Sequence, residues 1–184
     1  MDGLDKVPDE GPCVVVANHV SFVDALIIGG SVRRPIRFVM DHGIFKIPVL
    51  SFIFRTAKAI PIASAKVDPQ LLERAYAEVD RALAEGEVVG IFPEGAITRT
   101  GEMLPFRPGI ERILAARAVP VVPIALRGLW GSLFSRKDSA LGRARLPRRF
   151  WSRIAMVVGD PVPPEQASAA VLEAKVRELR GDWA

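Results

Sequence analysis

His19 and Asp24 form the residue pair in this sequence that is best suited to proton-transfer chemistry. They stand five positions apart in the segment 18–24, which reads Asn-His-Val-Ser-Phe-Val-Asp. On one regular helix that offset would point the two side chains ~140° apart. They can meet if His19 lies in a turn and Asp24 lies in the first turn of the following helix. Asp24 would then accept a hydrogen bond from one imidazole nitrogen and leave the other as a general base.

A structural explanation of the same segment is equally simple. Ser21 is a good helix N-cap, and Asp24 would sit at the third helical position of a capping box, in a helix that ends near 29–30. Spacing alone favours this explanation, because capping boxes are common. The residues 14–17 before His19, however, read as a buried strand, and ligands gather at the carboxyl ends of strands in open α/β sheets.

A second segment, Phe92-Pro93-Glu94-Gly95, also directly follows an apolar strand. If the two strands run parallel, Glu94 and His19 emerge at the same edge of the sheet. A carboxylate there could bind a substrate hydroxyl, and Gly95 would let substrate approach the backbone closely. Taken alone, Pro-Glu-Gly is also good chemistry for an ordinary turn.

Strands and helices alternate along the chain, which predicts an α/β fold with a largely parallel sheet in a single domain, 1–184. The clearest helix begins at the cap Asp68 and ends at Gly86. Pro120 and Pro123 predict an edge or strand-end position for their strand. Strands are expected at 14–17, 36–40, 57–62, 88–92, 119–126 and 154–158, and the other helices at 21–30, 44–54, 109–117 and 164–181.

Composition excludes several classes of protein. The chain has 184 residues, a formal net charge of +4, two histidines and one cysteine. A single cysteine rules out a disulfide framework, and Cys13 in its apolar run is expected to be a buried structural thiol. With two histidines and no cysteine cluster, neither a metal site nor a cofactor is expected. No uninterrupted apolar run reaches the ~18 residues of a membrane span.

Together, the two segments resemble the motifs of the glycerolipid acyltransferase family, which includes lysophosphatidate and lysophospholipid acyltransferases. The resemblance covers 12–161 and includes the strand 119–125. The segments 38–42 and 106–109 look closest to members fused to lipid transporters and acyl-ligase modules. The family implies a glycerol-3-phosphate acyltransferase-like fold, with a central, mostly parallel mixed sheet flanked by helices. The resemblance to fused members also implies a transporter or ligase domain as a partner.

The resemblance also implies a reaction, in which a fatty acyl group moves from acyl-CoA or an acyl carrier protein to a glycerolipid hydroxyl. His19 would deprotonate the hydroxyl, which attacks the thioester directly, without an acyl-enzyme or a metal. Asp24 would orient His19, and Glu94 and Gly95 would position the glycerol part of the acceptor.

The sequence departs from the family pattern at two phosphate-binding positions. Many members follow Phe-Pro-Glu-Gly with Thr-Arg-Ser, whereas residues 96–98 are Ala-Ile-Thr here, and the middle motif 59–63 lacks its usual arginine. This favours a lysophospholipid acceptor with a phosphodiester; the alternative is a 1-acylglycerol-3-phosphate acyltransferase that makes phosphatidate. Lys58, Lys66, Arg99 and Arg107 could supply the missing charge, although a solvated surface position is the simpler explanation of each. The candidate substrate-binding residues are Asn18, Ser21, Lys58, Glu94, Gly95, Thr98, Arg99 and Arg107.

Two further stretches indicate a membrane surface as partner. The apolar stretch 44–54, edged by Lys46 and Arg55, predicts either an interfacial helix or plain core packing. The stretch 136–153 is basic and aromatic, which suits an anionic lipid or an acidic carrier protein. No nucleic-acid motif appears, so nucleic acid is not an expected partner. We therefore expect a cytoplasmic, peripheral enzyme at the inner face of a membrane.

A different class of function is a non-catalytic module that binds lipid or acyl carrier. Such a module has no need of a base and its orienting acid, so the intact His19, Asp24 and Glu94 argue against it.

Overall fold

A central sheet organises the chain. The computed structural model describes residues 1–21, 23–46, 48–130 and 154–182, with 48–50 described by their backbone alone. Within these residues the strands are β1 (Cys13–Ala17), β2 (Ile36–Asp41), β3 (Ile60–Ile62), β4 (Val88–Ile91), β5 (Val121–Arg127) and β6 (Ala155–Val158).

The strand order is β3-β2-β4-β1-β5-β6. Neighbouring strands are parallel except β5 and β6, which pair antiparallel. The predicted α/β fold with a mostly parallel mixed sheet is therefore confirmed, and so is the parallel arrangement of the strands that precede His19 and Glu94.

Helices cover both faces of the sheet. They are α1 (Asp24–Ser31), α2 (Pro48–Thr56), α3 (Pro69–Ala84), α4 (Gly109–Ala116) and α5 (Ala169–Arg180), with short 3-10 helices at Leu4–Lys6, His42–Lys46 and Pro164–Gln166. Alternate residues of β1 face opposite sides, as the pleat requires. Val14 and Val16 pack in the core under α3, α4 and α5, while Cys13, Val15 and Ala17 pack with α1.

The start of α1 differs from the prediction. Its N-cap is Val23, not Ser21, and Asp24 is the first helical residue. The Ser21 hydroxyl instead donates to Asp24 Oδ1 (2.7 Å), so the expected capping box does not form. The helix also continues through both glycines to Ser31, because Gly29 and Gly30 keep helical geometry.

Other boundaries moved for local reasons. The apolar stretch 44–54 splits at Pro48 into a 3-10 turn and α2, which continues to Thr56. Lys58 then adopts a left-handed φ of 51°, so β3 is shorter than the predicted 57–62. The C-terminal helix begins later than residue 164, because Ser168 caps α5 by accepting from the Val171 N–H.

The position of β5 decides between the edge and strand-end alternatives for its prolines. Pro120 lies directly before β5, as the strand-end alternative predicts. This strand lies between β1 and β6, so it is not an edge strand. Pro123 is tolerated because β6 ends at Val158, opposite Ile124. The Pro123 carbonyl accepts from the Gly159 N–H (2.8 Å) just beyond that end, where the missing proline N–H costs no ladder bond.

The single cysteine is fully buried, as expected. Cys13 is 0% exposed at the start of β1. Burial raises the pKa of its thiol, and the charge of nearby Arg34 opposes the shift only in part. A buried thiol of raised pKa is a poor nucleophile, so Cys13 has a packing role.

The expectations about a membrane span and about the basic stretch have different outcomes. Among the described residues, no helix combines the length and apolar character that crossing a bilayer requires. The basic stretch 136–153, with Arg136, Lys137, Arg143, Arg145, Arg148, Arg149 and Arg153, lies outside the described residues.

Candidate active site

The two sequence segments meet at the carboxyl edge of the sheet. β1 and β4 are neighbours, with Val16 opposite Ile91, so the chain leaves both strands side by side. His19 follows β1 by two residues, and Glu94 follows β4 by three. Residues in loops at this edge do not form the hydrogen bonds between strands, so they can present side chains to a ligand.

His19 and Asp24 form a hydrogen-bonded pair. His19 Nδ1 lies 2.8 Å from Asp24 Oδ2. The Asp24 carboxylate is fully buried and also accepts the N–H groups of Val20 (2.7 Å) and Ser21 (2.9 Å). These bonds fold the turn tightly around the carboxylate and bring together two residues that a single helix would separate. With its proton on Nδ1, His19 keeps Nε2 available as a base.

Aromatic stacking fixes the plane of the imidazole. The His19 ring stacks on Phe92 with centroids 4.2 Å apart and planes 15° apart. Phe92 in turn stacks on Phe38, at 5.7 Å. Gly90 makes room for this stack, because a Cβ there would lie 2.5 Å from the Phe38 ring. The stack and the Asp24 bond leave His19 little freedom to rotate.

The loop after β4 holds the His19 backbone from both sides. The His19 N–H donates to Glu94 Oε1 (2.7 Å), and the His19 carbonyl accepts from the Thr98 N–H (3.0 Å). Glu94 Oε2 accepts from the Leu104 N–H (2.7 Å). Glu94 is only 1% exposed, and burial raises the pKa of its carboxyl against the opposing hydrogen bonds from Leu104 and His19.

Asn18 ties the other end of the turn to β5. Its Nδ2 donates to the Leu126 carbonyl (3.0 Å), and its Oδ1 accepts from the Leu126 N–H (2.7 Å). Both bonds are buried, so the side chain substitutes for a strand partner. Asn18 therefore supports the turn and is not exposed to a ligand.

A cavity of about 670 Å³ opens beside His19. It runs between the sheet and the helices α3 and α4. Most of its lining is apolar, including Val39, Leu72, Val79, Ile91 and Ile110. The dimensions and the lining suit a hydrocarbon chain, with the polar atoms of His19 at one side.

Arg107 brings a positive charge to this cavity. Its side chain lies against Gly95, so that a Cβ on Gly95 would be 2.9 Å from the guanidinium carbon. Gly95 has a φ of 68°, a conformation that glycine adopts most readily. Both residues line the cavity. The guanidinium bonds to no group that the described part of the chain contains, so it is free to bind an anion.

The remaining candidates are placed differently. Ser21 and Thr98 are buried, and the Thr98 hydroxyl accepts the N–H groups of Thr100 and Gly101 within its own loop. Arg99 is exposed on that loop. Lys58 precedes β3 and lies 4.0 Å from Glu87, which precedes β4. Lys58 is thus at the amino edge of the sheet, and the structure does not bring it to His19.

Two features of the site were not predicted from the sequence. Phe92 belongs to a predicted motif, but its ring had no predicted role, since stacking on His19 depends on the adjacency of β1 and β4. His42 likewise had no predicted role in the site, whereas it lines the cavity. Its position at the end of β2, next to β4 in the sheet, was the signal that could have found it.

This geometry agrees with the family comparison. Residues 1–127 match the family model Acyltransferase. The chain belongs to this acyltransferase family.

Individual relatives carry more specific names. The chain is 33% identical over 129 residues to "1-acyl-sn-glycerol-3-phosphate acyltransferase BAT2, chloroplastic" of Brassica napus, covering 70% of this chain and 37% of that protein. It is 25% identical over 174 residues to the 1-acyl-sn-glycerol-3-phosphate acyltransferase of Bacillus subtilis, covering 94% and 77%. This acyltransferase chain spans between about a third and a half of its plant and algal relatives.

A solved structure supports the fold. The chain matches the crystal structure of the 1-acyl-sn-glycerophosphate (LPA) acyltransferase PlsC from Thermotoga maritima with a TM-score of 0.74. The match covers 100% of this chain and 72% of the other, at 23% identity. The glycerol-3-phosphate acyltransferase-like arrangement expected for this acyltransferase is thereby confirmed.

Proposed function

We propose that this chain transfers a fatty acyl group from a thioester to the free hydroxyl of a 1-acyl-sn-glycerol 3-phosphate. The observation that carries the proposal is the 2.8 Å His19–Asp24 pair beside an apolar cavity that also contains a free guanidinium. The proposed acceptor and donor require three features: a base, a cavity for hydrocarbon and a cation that binds the phosphate.

The proposed reaction is a direct attack. His19 Nε2 takes the proton of the acceptor hydroxyl while the hydroxyl oxygen bonds to the thioester carbonyl carbon. The tetrahedral intermediate then breaks its carbon–sulfur bond, and the leaving thiolate takes the proton from His19. Asp24 stabilises the imidazolium between these steps, in the way that an aspartate does in a Ser-His-Asp triad. The donor is acyl-CoA or an acyl carrier protein.

Two observations support a phosphomonoester acceptor over the lysophospholipid favoured by the missing arginines. The relatives above are named for 1-acyl-sn-glycerol 3-phosphate or LPA. Arg107 also supplies a cation from a different position, against Gly95. A phosphomonoester gains more from a free guanidinium than a diester does, because it carries the greater charge.

A membrane surface is the partner that α2 fits. Phe52 and Ile53 are 74% and 38% exposed, and the nearby Lys46, Arg55 and Lys58 are exposed as well. Exposed apolar and basic side chains together match an anionic bilayer. Sedimentation with vesicles should show binding to anionic but not to zwitterionic phospholipid, and weaker binding of Phe52→Ser. Equal binding of that variant would contradict this docking face.

The test of function is thiol release from a long-chain acyl thioester, with lysophosphatidate and lysophosphatidylethanolamine as separate acceptors. Release should be stimulated most by lysophosphatidate and should fall by about 10²-fold to 10⁴-fold in His19→Ala, which loses the general base. Retained turnover in a folded His19→Ala protein would refute the mechanism. A preference for lysophosphatidylethanolamine would restore the diester interpretation, and acyl-chain binding without release would indicate a binding module.

A further inference from the structure

Glu94 occupies an unusual place for a ligand of the acceptor. Both of its carboxylate oxygens already accept backbone N–H groups, one from His19 and one from Leu104, each at 2.7 Å. The side chain is 1% exposed and does not line the cavity beside His19. Each oxygen retains a second lone pair, but its burial away from the cavity leaves an acceptor hydroxyl no access to it.

The same carboxylate joins two segments that are distant in sequence. The turn that contains His19 follows β1, and residue 104 lies ten positions beyond Glu94 in the long loop after β4. Thr98 adds a second bond to the same turn through the His19 carbonyl, and Phe92 supports the imidazole face. The segment 92–98 therefore contacts His19 at its ring, its N–H and its carbonyl.

From these contacts we infer that Glu94 is a positioning residue that acts through His19, and that it does not bind the acceptor. It fixes the height and orientation of the His19 backbone above the sheet, while Asp24 fixes the ring. The two carboxylates thus have different roles: Glu94 sets the position of the base, and Asp24 sets which imidazole nitrogen is free. This inference rests on the proposed function for its kinetic test but not for its spectroscopic test.

The kinetic test compares Glu94→Gln with Arg107→Gln. A glutamine side chain has one acceptor oxygen, whereas the N–H groups of His19 and Leu104 each need one. One of the two bonds is therefore lost, and the His19 turn shifts. We expect kcat to fall by about 10-fold to 100-fold, the cost of a small misplacement of a catalytic group, with the KM for acceptor unchanged. Arg107→Gln should instead raise that KM. Glu102→Gln, on the same loop and 73% exposed, is the matched control and should behave like wild type.

The spectroscopic test reads His19 itself. The chain has two histidines, so ¹⁵N-histidine labelling gives two ring signals, and His19→Ala assigns them. In the wild type, His19 should show the Nδ1-protonated tautomer. In Glu94→Gln that signal should shift or broaden while the His42 signal stays. If Glu94→Gln does not fold, Glu94→Asp keeps the charge but is one methylene too short to span both N–H groups.

The outcomes are distinct. A raised acceptor KM with unchanged kcat and an unchanged His19 spectrum would overturn the inference and return Glu94 to the acceptor site. A wild-type protein without acyl transfer would refute the proposed function alone, since the His19 spectrum of Glu94→Gln still decides the role of Glu94.

Discussion

The two loops at the carboxyl edge of the sheet differ in whether they carry unpaired cations. In the first loop, after β1, Asn18 and Ser21 are fully buried and bonded to protein groups, as is Asp24 at the start of α1. In the second loop, after β4, Glu94 and Thr98 are likewise buried and bonded, but Arg99 and Arg107 are exposed. Within the described residues, neither guanidinium has a bonding partner. The first loop is thus internally satisfied, whereas the second also presents two free cations.

Under the proposed function, this contrast separates chemistry from recognition. The His19–Asp24 pair would be held in place before any ligand arrives, so the proposed proton transfer would need little reorganisation. The cations that would bind the acceptor are left without partners, so a phosphate does not have to displace a protein carboxylate. Three experiments sharpen this comparison.

The largest effect is expected in the satisfied loop, from Asp24→Asn. The variant loses the charge that stabilises the His19 imidazolium and places an amide NH₂ where four donors converge. We expect kcat to fall by about 10³-fold to 10⁴-fold, by analogy with aspartate loss in a Ser-His-Asp triad. Thiol release measures it. Asp41→Asn is the control, since Asp41 is exposed and lies 3.9 Å from the other histidine, His42. An equal fall of kcat in Asp24→Asn and Asp41→Asn would contradict a specific role of the His19–Asp24 hydrogen bond.

A smaller effect is expected in the second loop, after β4, from Gly95→Ala. The added methyl would push on the Arg107 guanidinium and would strain a φ of 68°. A hydrogen bond to a charged group contributes about 1.5–3 kcal/mol, so the KM for lysophosphatidate should rise about 10-fold to 100-fold. The kcat should change much less than in Asp24→Asn.

The control for Gly95→Ala is Gly86→Ala. Gly86 has a similar φ of 79°, but a Cβ there meets nothing within 4 Å. It therefore carries the backbone strain without the contact to Arg107. A rise in acceptor KM in both variants would attribute the effect to strain and would remove Arg107 from the acceptor site.

The smallest effect is on the pH dependence of stability, through two glutamates, Glu94 and Glu173, that accept N–H groups of the loop after β4. Burial raises the pKa of Glu94, whereas the Phe106 N–H and Arg177 lower the pKa of Glu173. A raised carboxyl pKa contributes stability that is complete below the unfolded pKa and is lost as pH rises through the folded value. A lowered carboxyl pKa contributes stability that is present above the unfolded pKa and is lost as pH falls.

Urea unfolding between about pH 4 and pH 7 tests these signs. The stability advantage of wild type over Glu94→Gln should shrink as pH rises, whereas its advantage over Glu173→Gln should grow. Parallel pH profiles for the two variants would show that burial does not set the titration of Glu94.

The sequence predicted those parts of the fold and site that depend on short-range patterns. Asp68 caps α3 as expected, because a cap needs only the residues beside it. The meeting of His19 with Asp24 was also predictable, since five residues and a turn suffice. The shared edge of His19 and Glu94 followed from the expectation that their two strands run parallel, which the structure confirms.

Two of the differences come from partners that lie far away in sequence. Asn18 was a candidate ligand because its partner, Leu126, is 108 positions distant. The edge-strand alternative for Pro123 was wrong because β6, which pairs with β5 and ends opposite Ile124, comes some thirty residues later in the chain. Ser21 is a local case: its hydroxyl donates to Asp24 only three positions away, and the pattern could not decide between this bond and a helix cap.

The burial of Cys13 has a practical consequence for following this protein in solution. It is the single cysteine of the chain and is 0% exposed. A cysteine introduced at Val67, which is 66% exposed beside the cavity, would be the accessible thiol of a folded molecule. A fluorophore or spin label attached there would report on the cavity entrance without first removing the native cysteine from the core.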